Sequence, residues 1–255
     1  MSLPSSAALT DEQLERYARH ILLREIGGAG QRRLLDAKVL VVGAGGLGAP
    51  ALMYLAAAGV GTIGIVDDDI VSLSNLQRQV IFATGEVGAP KGDMAARRIA
   101  SINPDVAVSV HQVRLTENNA VDLIAPYDLV LDGCDNFETR FAVNAACLAL
   151  GKTLVSAAIG EFDGQLAVFK PDRATQPCYR CLVPDIPEGA ATCTEQGVVG
   201  ALAGVMGTWA ALEVVKEIVG FGESLAGQIV LFEGLSAASR KVRLKRDPKC
   251  LACGS

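Results

Sequence analysis

The chain lacks clustered basic charge: 23 Lys and Arg stand against 28 Asp and Glu, a net charge of −5. A nucleic-acid surface needs basic clusters, so no nucleic-acid partner is expected. No signal peptide is expected either, because Met1 to Leu9 is short and uncharged rather than basic and then apolar. No run is long enough to span a bilayer. The most apolar stretch, Gly197 to Leu212, is rich in Gly and Ala and reads as a buried helix. A cytoplasmic protein with no membrane partner is therefore expected. Gly-x-x-x-x-Gly-Lys-Ser/Thr is missing too, which excludes a P-loop ATPase. Histidine is scarce, with only His20 and His111. Internal repeats and low-complexity linkers are absent.

What is present is half hydrophobic, 50% of 255 residues, enough for a sizeable core. The chain is organised around Lys38-Val39-Leu40-Val41-Val42-Gly43-Ala44-Gly45-Gly46-Leu47-Gly48. A β-branched run feeds a glycine turn and then a helical pattern, the order a phosphate-binding strand–turn–helix needs. Gly43 allows the tight turn, Gly45 lets a phosphate approach bare backbone, and Gly48 lets helix and strand pack closely. The helix N-terminus then offers N–H groups to an anion. Asp67 follows the next strand, about where a carboxylate meets a ribose hydroxyl. A nucleotide is expected here, by default a dinucleotide; a triphosphate must be argued from elsewhere.

Along the chain, Thr10-Asp11-Glu12-Gln13 is a capping box that opens a helix to about Arg24, with Leu14, Tyr17, Ala18, Ile21 and Leu22 as its apolar face. Arg16, Arg19 and Arg24 lie off that stripe as solvated charges. Gly27 to Gly30 ends this helix, and a short one, 31–35, leads into the first strand. Strands at 38–42, 62–67, 106–111, 128–132 and 153–158 then alternate with helices at 47–58, 91–101, 117–124 and 137–150. The stretch 68–90 is irregular. Such alternation implies right-handed crossovers and a largely parallel sheet covered on both faces. After Gly160 come strands at 165–170, 228–233 and 240–245 and a helix at 198–219. The fold class is α/β: a Rossmann-like, mostly parallel sheet flanked by helices and extended by antiparallel strands. Residues 1–36 read as an N-terminal helical segment and 37–255 as one nucleotide-binding domain, whose part from about 160 carries those strands and a zinc site.

That zinc site rests on Cys178-x-x-Cys181 and Cys250-x-x-Cys253. Each pair makes a knuckle of two thiolates, and two knuckles close one tetrahedral, structural Zn²⁺. A redox pair is the rival for either knuckle alone. Cys134 and Cys147 sit in apolar surroundings and should be buried and inert.

The nucleotide is decided by Asp67-Asp68-Asp69 and Ser74-Asn75-Leu76-Gln77-Arg78-Gln79 after the second strand. A dehydrogenase needs one acid for the ribose, not three. Its general acid would have to be a histidine far in sequence from the turn. Lys91 starts the next helix, and Asp132-Gly133-Cys134-Asp135-Asn136 places acids at the end of a later strand, the sheet edge where ligands bind. Arg78 and Lys91 suit a polyphosphate and Asp135 a hard metal such as Mg²⁺.

With Arg16-Tyr17-Ala18-Arg19, the glycine turn, Ser74 to Gln79, Lys91, Asp135-Asn136 and the paired Cys-x-x-Cys, the chain resembles the ubiquitin-activating-enzyme-like family in its bacterial form. These are the adenylyltransferases for molybdopterin synthase and for thiamine-thiazole sulfur carriers. The resemblance runs from about Leu14 to the C-terminus. It implies that the C-terminal glycine of a small β-grasp sulfur carrier ending in Gly-Gly attacks the α-phosphate of ATP. Gly46 would then lie against the phosphates and Asp67 on the ribose. Ser74, Asn75, Leu76, Gln77 and Arg78 would line the triphosphate. Lys91 would hold phosphate charge as the bond breaks, and Asp135, with Asn136 beside it, would bind Mg²⁺. The family is a homodimer, which makes Arg19 an arginine finger on the partner's phosphates.

Family resemblance also favours zinc at the four cysteines. Cys193 resembles the residue that joins the carrier's thiocarboxylate in the thiazole branch and is dispensable in the molybdopterin branch. The chain ends soon after the second knuckle, without the rhodanese domain of longer relatives, so sulfur is expected from a separate donor protein. The stretch 182–195 is expected to form a mobile loop over the carrier's tail. The molybdopterin branch leads and the thiazole branch follows. An NAD-dependent oxidoreductase and a non-catalytic scaffold subunit are the readings from other classes.

Overall fold

The computed structural model describes residues 8–171, 175–186 and 197–254. Three helices open the chain: α1 (Asp11–Arg16), α2 (Ala18–Ile21) and α3 (Gly27–Asp36). The alternating series follows as β1 (Lys38–Val42), α4 (Gly48–Ala58), β2 (Thr62–Val66), α5 (Lys91–Ile102), β3 (Ala107–His111), α6 (Ala120–Ile124), β4 (Leu129–Asp132), α7 (Phe137–Leu150) and β5 (Thr153–Ile159). It ends with β6 (Asp163–Phe169), α8 (Tyr179–Leu182), α9 (Gly200–Val219), β7 (Gln228–Glu233) and β8 (Ala238–Arg243).

Among the described residues, one sheet holds all eight strands in the order β3-β2-β1-β4-β5-β6-β7-β8. The first five are parallel, and β6 to β8 extend the sheet antiparallel. The apolar strands feed both faces. Val39 and Val41 of β1 enter the core under α4, α5 and α9, while Leu40 and Val42 enter the one under α6 and α7. A strand buried on both sides has no reason to alternate in polarity, and β1 and β4 do not. The last strand is different: β8 is exposed along its length, and Arg240, Lys241 and Arg243 charge its free edge against further pairing.

Five local expectations are corrected. The first helix breaks at Tyr17, which has φ −101° and ψ 13°. Its ring lies on Gly59 and its hydroxyl accepts the Asn103 amide at 2.8 Å, so a tertiary contact overrides the helical pattern. Leu14 and Leu22, placed on the apolar face, are exposed. The glycines expected to end the helix instead start α3, because Gly30 packs against Val219 where a Cβ would come within 2.7 Å of Cγ1. Arg16 is tied to the Ile102 carbonyl at 3.1 Å and to Glu12 at 3.4 Å rather than being free in solvent. Finally, the helix expected to be buried is buried on one face only: in α9, Ala203, Met206 and Ala210 lie in the core while Val205 and Leu212 are exposed. Among the described residues, no helix is long and apolar enough to cross a membrane.

Candidate functional site

The chain steps outward from β1 through β2 to β3 on one side, and then from β4 to β5 on the other. Strand order thus reverses between β1 and β4, and a parallel sheet opens a crevice at the carboxyl ends of the strands there. The turn 43–48 leaves β1 at that crevice and the loop 133–136 leaves β4 beside it.

The turn is shaped as its glycines require. Gly43 has φ +87°, a conformation that favours glycine. A Cβ on Gly48 would lie 1.9 Å from the Gly43 carbonyl oxygen, so α4 can start where it does only on glycine. Gly45 is different, for a Cβ there would meet nothing closer than the Gln79 amide nitrogen at 3.7 Å. Space at Gly45 is open, as a phosphate contact needs. No side chain caps α4 at Leu47; in its first turn Ala49 donates to the Gly45 carbonyl at 2.8 Å and Pro50 has no N–H, which leaves the N–H of Gly48 at the helix start for a ligand. Against Gly46 lie Ala203 of α9 and the aliphatic stem of Arg78, at 3.3 and 3.6 Å from where its Cβ would stand.

Asp67 leaves the end of β2 and turns inward. Its carboxylate accepts the Ala44 N–H at 2.7 Å and the Asp69 N–H at 2.9 Å. Burial pushes its pKa up, opposed by those N–H groups and by Lys91. Lys91, the first residue of α5, is 4% exposed and bonds the carboxylate of Asp69 at 2.8 Å. Between them, residues 73–79 form tight turns in which the Asn75 carbonyl accepts the N–H groups of Arg78 and Gln79. Arg78 donates to the Ser74 carbonyl at 3.0 Å, and Ser74 and Gln77 are exposed while Asn75 and Leu76 are half-buried. Asp135 is exposed on the β4 loop, and Asn136 caps α7 by accepting the Thr139 N–H at 2.9 Å.

The crevice therefore gathers Gly46, Asp67, residues 74–78, Lys91, Asp135 and Asn136. Arg19 is not among them. Its helix, α2, follows Tyr17, which packs on Gly59, and contains His20, which bonds Gln31, itself bonded to the Ala58 carbonyl. Those contacts lie at the C-terminal end of α4, about 16 Å along the helix from the glycine turn at 1.5 Å per residue. Cys193 lies outside the described residues, as does most of the loop expected over the carrier's tail.

One group was not singled out from the sequence. Gln79 is 4% exposed, its amide faces Gly45, and its carbonyl oxygen is buried without a hydrogen-bond partner. Buried polar groups in a native fold are nearly always bonded, so this atom marks a place for a polar group of a ligand or water at the glycine turn. Its position as the last residue of the Ser74–Gln79 run was the available signal.

The cysteines converge although about seventy residues separate the pairs. The Sγ atoms of Cys178, Cys181, Cys250 and Cys253 all lie within 4.8 Å of one another. Cys178 is 3.6 Å from Cys250, and Cys181 is 3.4 Å from Cys253. The edge of a tetrahedron with bonds of about 2.3 Å is about 3.8 Å, so the sulfurs are spaced for one metal ion, and four thiols would fill its shell. Burial pushes the Cys250 thiol up, but the N–H groups of Cys253 and Ala252 and the Cys178 thiol bring it down to about 7. Cys134 and Cys147 are buried, and burial raises both thiols out of the reactive range, as expected of inert residues.

Comparison with known proteins matches residues 17–252 to the ThiF family. The chain belongs to this family. It is 48% identical over 250 residues to the sulfur carrier protein adenylyltransferase of Thermus thermophilus, covering 96% of this chain and 92% of that one. It is 46% identical over 246 residues to the sulfur carrier protein ThiS adenylyltransferase of Escherichia coli, covering 96% and 97%. To the adenylyltransferase and sulfurtransferase MOCS3 of Mus musculus it is 46% identical over 255 residues, but it spans only 55% of that longer protein. Among solved structures, Escherichia coli MccB superposes with a TM-score of 0.83 at 22% identity, over 97% of this chain and 75% of that one, which establishes likeness of fold. This ThiF-family chain is an adenylyltransferase, and adenylyl transfer implies the use of ATP. Membership sets aside the dehydrogenase reading of the glycine turn.

Proposed function

We propose that this chain uses ATP to activate the C-terminal glycine of a small β-grasp sulfur-carrier protein ending in Gly-Gly, in the branch that builds the molybdenum cofactor. The observation that carries the reading is the charge arranged around an open turn at the reversal point: Arg78 along Gly46, Lys91 buried against Asp69, and Asp135 at the neighbouring strand end.

A carboxylate is a poor nucleophile toward an anionic phosphorus. The enzyme's task is to offset repulsion and stabilise the leaving group, and fixed cations in a desolvated site do both. Arg78 and Lys91 would draw charge off the triphosphate as a bond forms from the glycine carboxylate to the α-phosphorus. The α–β bridge then breaks, giving an acyl-adenylate and pyrophosphate. No side chain becomes covalently attached in this step. The turn's N–H groups, Gly46 and residues 74–78 would hold the phosphates, Gln79 would offer its unpaired carbonyl oxygen to a donor at the turn, and Asp67 would reach the ribose while bracing Ala44.

Asp135, with Asn136 beside it, fits Mg²⁺, which keeps water and phosphate ligands and takes one or two carboxylates from the protein. Mg²⁺ would supply neutralisation of phosphate charge. The four cysteines fit structural Zn²⁺, with no position left open for chemistry. Residues 37–255 would form the adenylation domain behind the helical segment 1–36.

Arg19 is held at the far end of α4, so it can serve a phosphate only in another subunit. A homodimer follows, with α9 and its neighbours as a suitable face. Leu23, Tyr54, Leu212 and Phe221 line an apolar trough of about 820 Å³ there. Sulfur would come from a separate donor protein, and Cys193 is a candidate for covalent capture of the carrier.

A second reading, the same chemistry on the thiamine-thiazole carrier, is favoured by the near-complete match to the Escherichia coli ThiS adenylyltransferase. Pyrophosphate exchange into ATP that depends on a Gly-Gly-ended carrier tests the proposal. NAD binding with no exchange would overturn it.

A further inference from the structure

Helix α7 carries Asn136 at its cap, then Arg140, Asn144 and Leu148. Residues four apart share one face of a helix, so these four form a single stripe. Each has a defined contact, and the contacts run from the nucleotide crevice to the cysteine cluster.

At the crevice end, Asn136 adjoins Asp135. One turn on, Arg140 is 6% exposed and grips the loop that bears Asp135. Its guanidinium donates to Asp132 at 3.4 Å, to the Ser156 hydroxyl at 3.1 Å and to the carbonyl oxygens of Cys134 and Ala157. Asp132 in turn accepts the Cys134 N–H at 3.0 Å, closing the loop on itself.

At the cluster end, Asn144 is 1% exposed and uses both ends of its amide. Its oxygen accepts the N–H of Tyr179 at 2.9 Å, and its nitrogen lies 3.8 Å from the Cys178 sulfur. Leu148 packs in one buried cluster with Cys178, Cys250 and Cys253. The knuckle also reaches back, for the ring of Tyr179 lies 6.0 Å from the Arg140 guanidinium. Leaving a buried donor or acceptor unpaired costs about 1–3 kcal/mol. The knuckle cannot shift without disturbing Asn144 and Arg140, and Arg140 cannot shift without releasing the loop.

We propose that the four-cysteine cluster, acting through Tyr179, Asn144 and Arg140, sets the loop 132–136, so that metal in the cluster orders the Asp135 side of the nucleotide crevice. Arg140 and Asn144 are positioning residues. The ordering of the loop stands apart from the adenylation reading; its consequence for Mg²⁺ rests on the role given there to Asp135.

The test is hydrogen exchange, followed by mass spectrometry, on the full chain loaded with Zn²⁺, stripped by a chelator, and reloaded with Zn²⁺ alone. Stripping is expected to speed exchange in peptides covering 132–141 about tenfold, the low end of what losing outer support does to a metal site. Peptides covering 38–58 should be unchanged, and reloading should restore protection. Asn144→Leu should show the fast exchange with metal bound, and in Arg140→Lys loaded and stripped protein should exchange alike. Faster exchange confined to 178–182 and 250–253 would overturn the proposal. If Asn144→Leu fails to fold, seen as fast exchange at 38–58, the stripped natural protein decides alone.

A second readout separates the two readings. The Mg²⁺ needed for half-maximal pyrophosphate exchange should rise several-fold on stripping. A responsive loop with a Mg²⁺ requirement unchanged in Asp135→Ala upholds the coupling and removes Asp135 from metal binding. A raised requirement in Asp135→Ala with an unresponsive loop overturns the coupling and leaves the adenylation reading intact.

Discussion

Asp67 accepts the backbone N–H of Ala44 at 2.7 Å, so the acid that ends β2 braces the glycine turn that ends β1. The same carboxylate would face the ribose, and it ties the shape of the turn to the seat of the sugar. Asp67→Asn replaces a charged acceptor of two N–H groups by an amide with one oxygen. A hydrogen bond to a charged group contributes about 1.5–3 kcal/mol, so ATP affinity by calorimetric titration should fall about tenfold or more. Unchanged affinity would remove Asp67 from both roles.

Gly48 and Gly45 should respond differently to the same substitution. In Gly48→Ala the new methyl would stand 1.9 Å from the Gly43 oxygen, and such overpacking costs about 1–3 kcal/mol or more. The melting temperature should drop by several degrees, with ATP present or absent. In Gly45→Ala the methyl finds room in the empty turn, so melting should hold while stabilisation by added ATP is lost. Equal melting losses in both would contradict the assignment of Gly45 to ligand contact.

In the proposed homodimer, Arg19→Ala should lose most adenylation while the assembly stays intact by sedimentation. Mixing it with Lys91→Ala subunits should restore one working site per heterodimer, because Arg19 cannot reach the crevice of its own chain. Two inactive variants that stay inactive when mixed would rule out a role in trans.

Burial, opposed in part by Arg140, pushes the Tyr179 phenol from 10.0 up to about 12. The folded protein holds this proton more tightly than the unfolded chain. Stability is therefore fully present below about pH 10 and is lost as pH rises toward 12. Urea midpoints between those values should fall more steeply for the natural protein than for Tyr179→Phe. Parallel curves would show that Tyr179 does not titrate in this window.

The sheet was legible because its strands are apolar on both sides, and Val39 to Val42 reads as little else. The glycine turn was legible because Gly43 and Gly48 are required by backbone geometry, not by a ligand. What escaped was decided by contacts between distant segments. Tyr17 breaks a good helical pattern to reach Gly59 and Asn103, and Gly30 is helical because Val219 leaves no room for a side chain. Arg140 and Asn144 look like ordinary polar positions on α7 until the loop at one end and the knuckle at the other are in place. The four-residue spacing from Asn136 to Leu148 was visible, but three of the four residues of that stripe are polar and the stripe gave no apolar pattern to follow. The cysteine pairs were the reverse case, because their spacing predicts a shared site whatever path joins them.

The central claim is that the crevice joins AMP to the C-terminal glycine of a sulfur carrier. It is tested most directly by incubating the protein with ATP, Mg²⁺ and each candidate carrier, from the molybdenum-cofactor and the thiamine-thiazole branches, and measuring the mass of the carrier. The expected result is a carrier from the molybdenum-cofactor branch heavier by one AMP, with no gain when its last glycine is removed. Neither carrier gaining AMP, under conditions where ATP is bound, would contradict it.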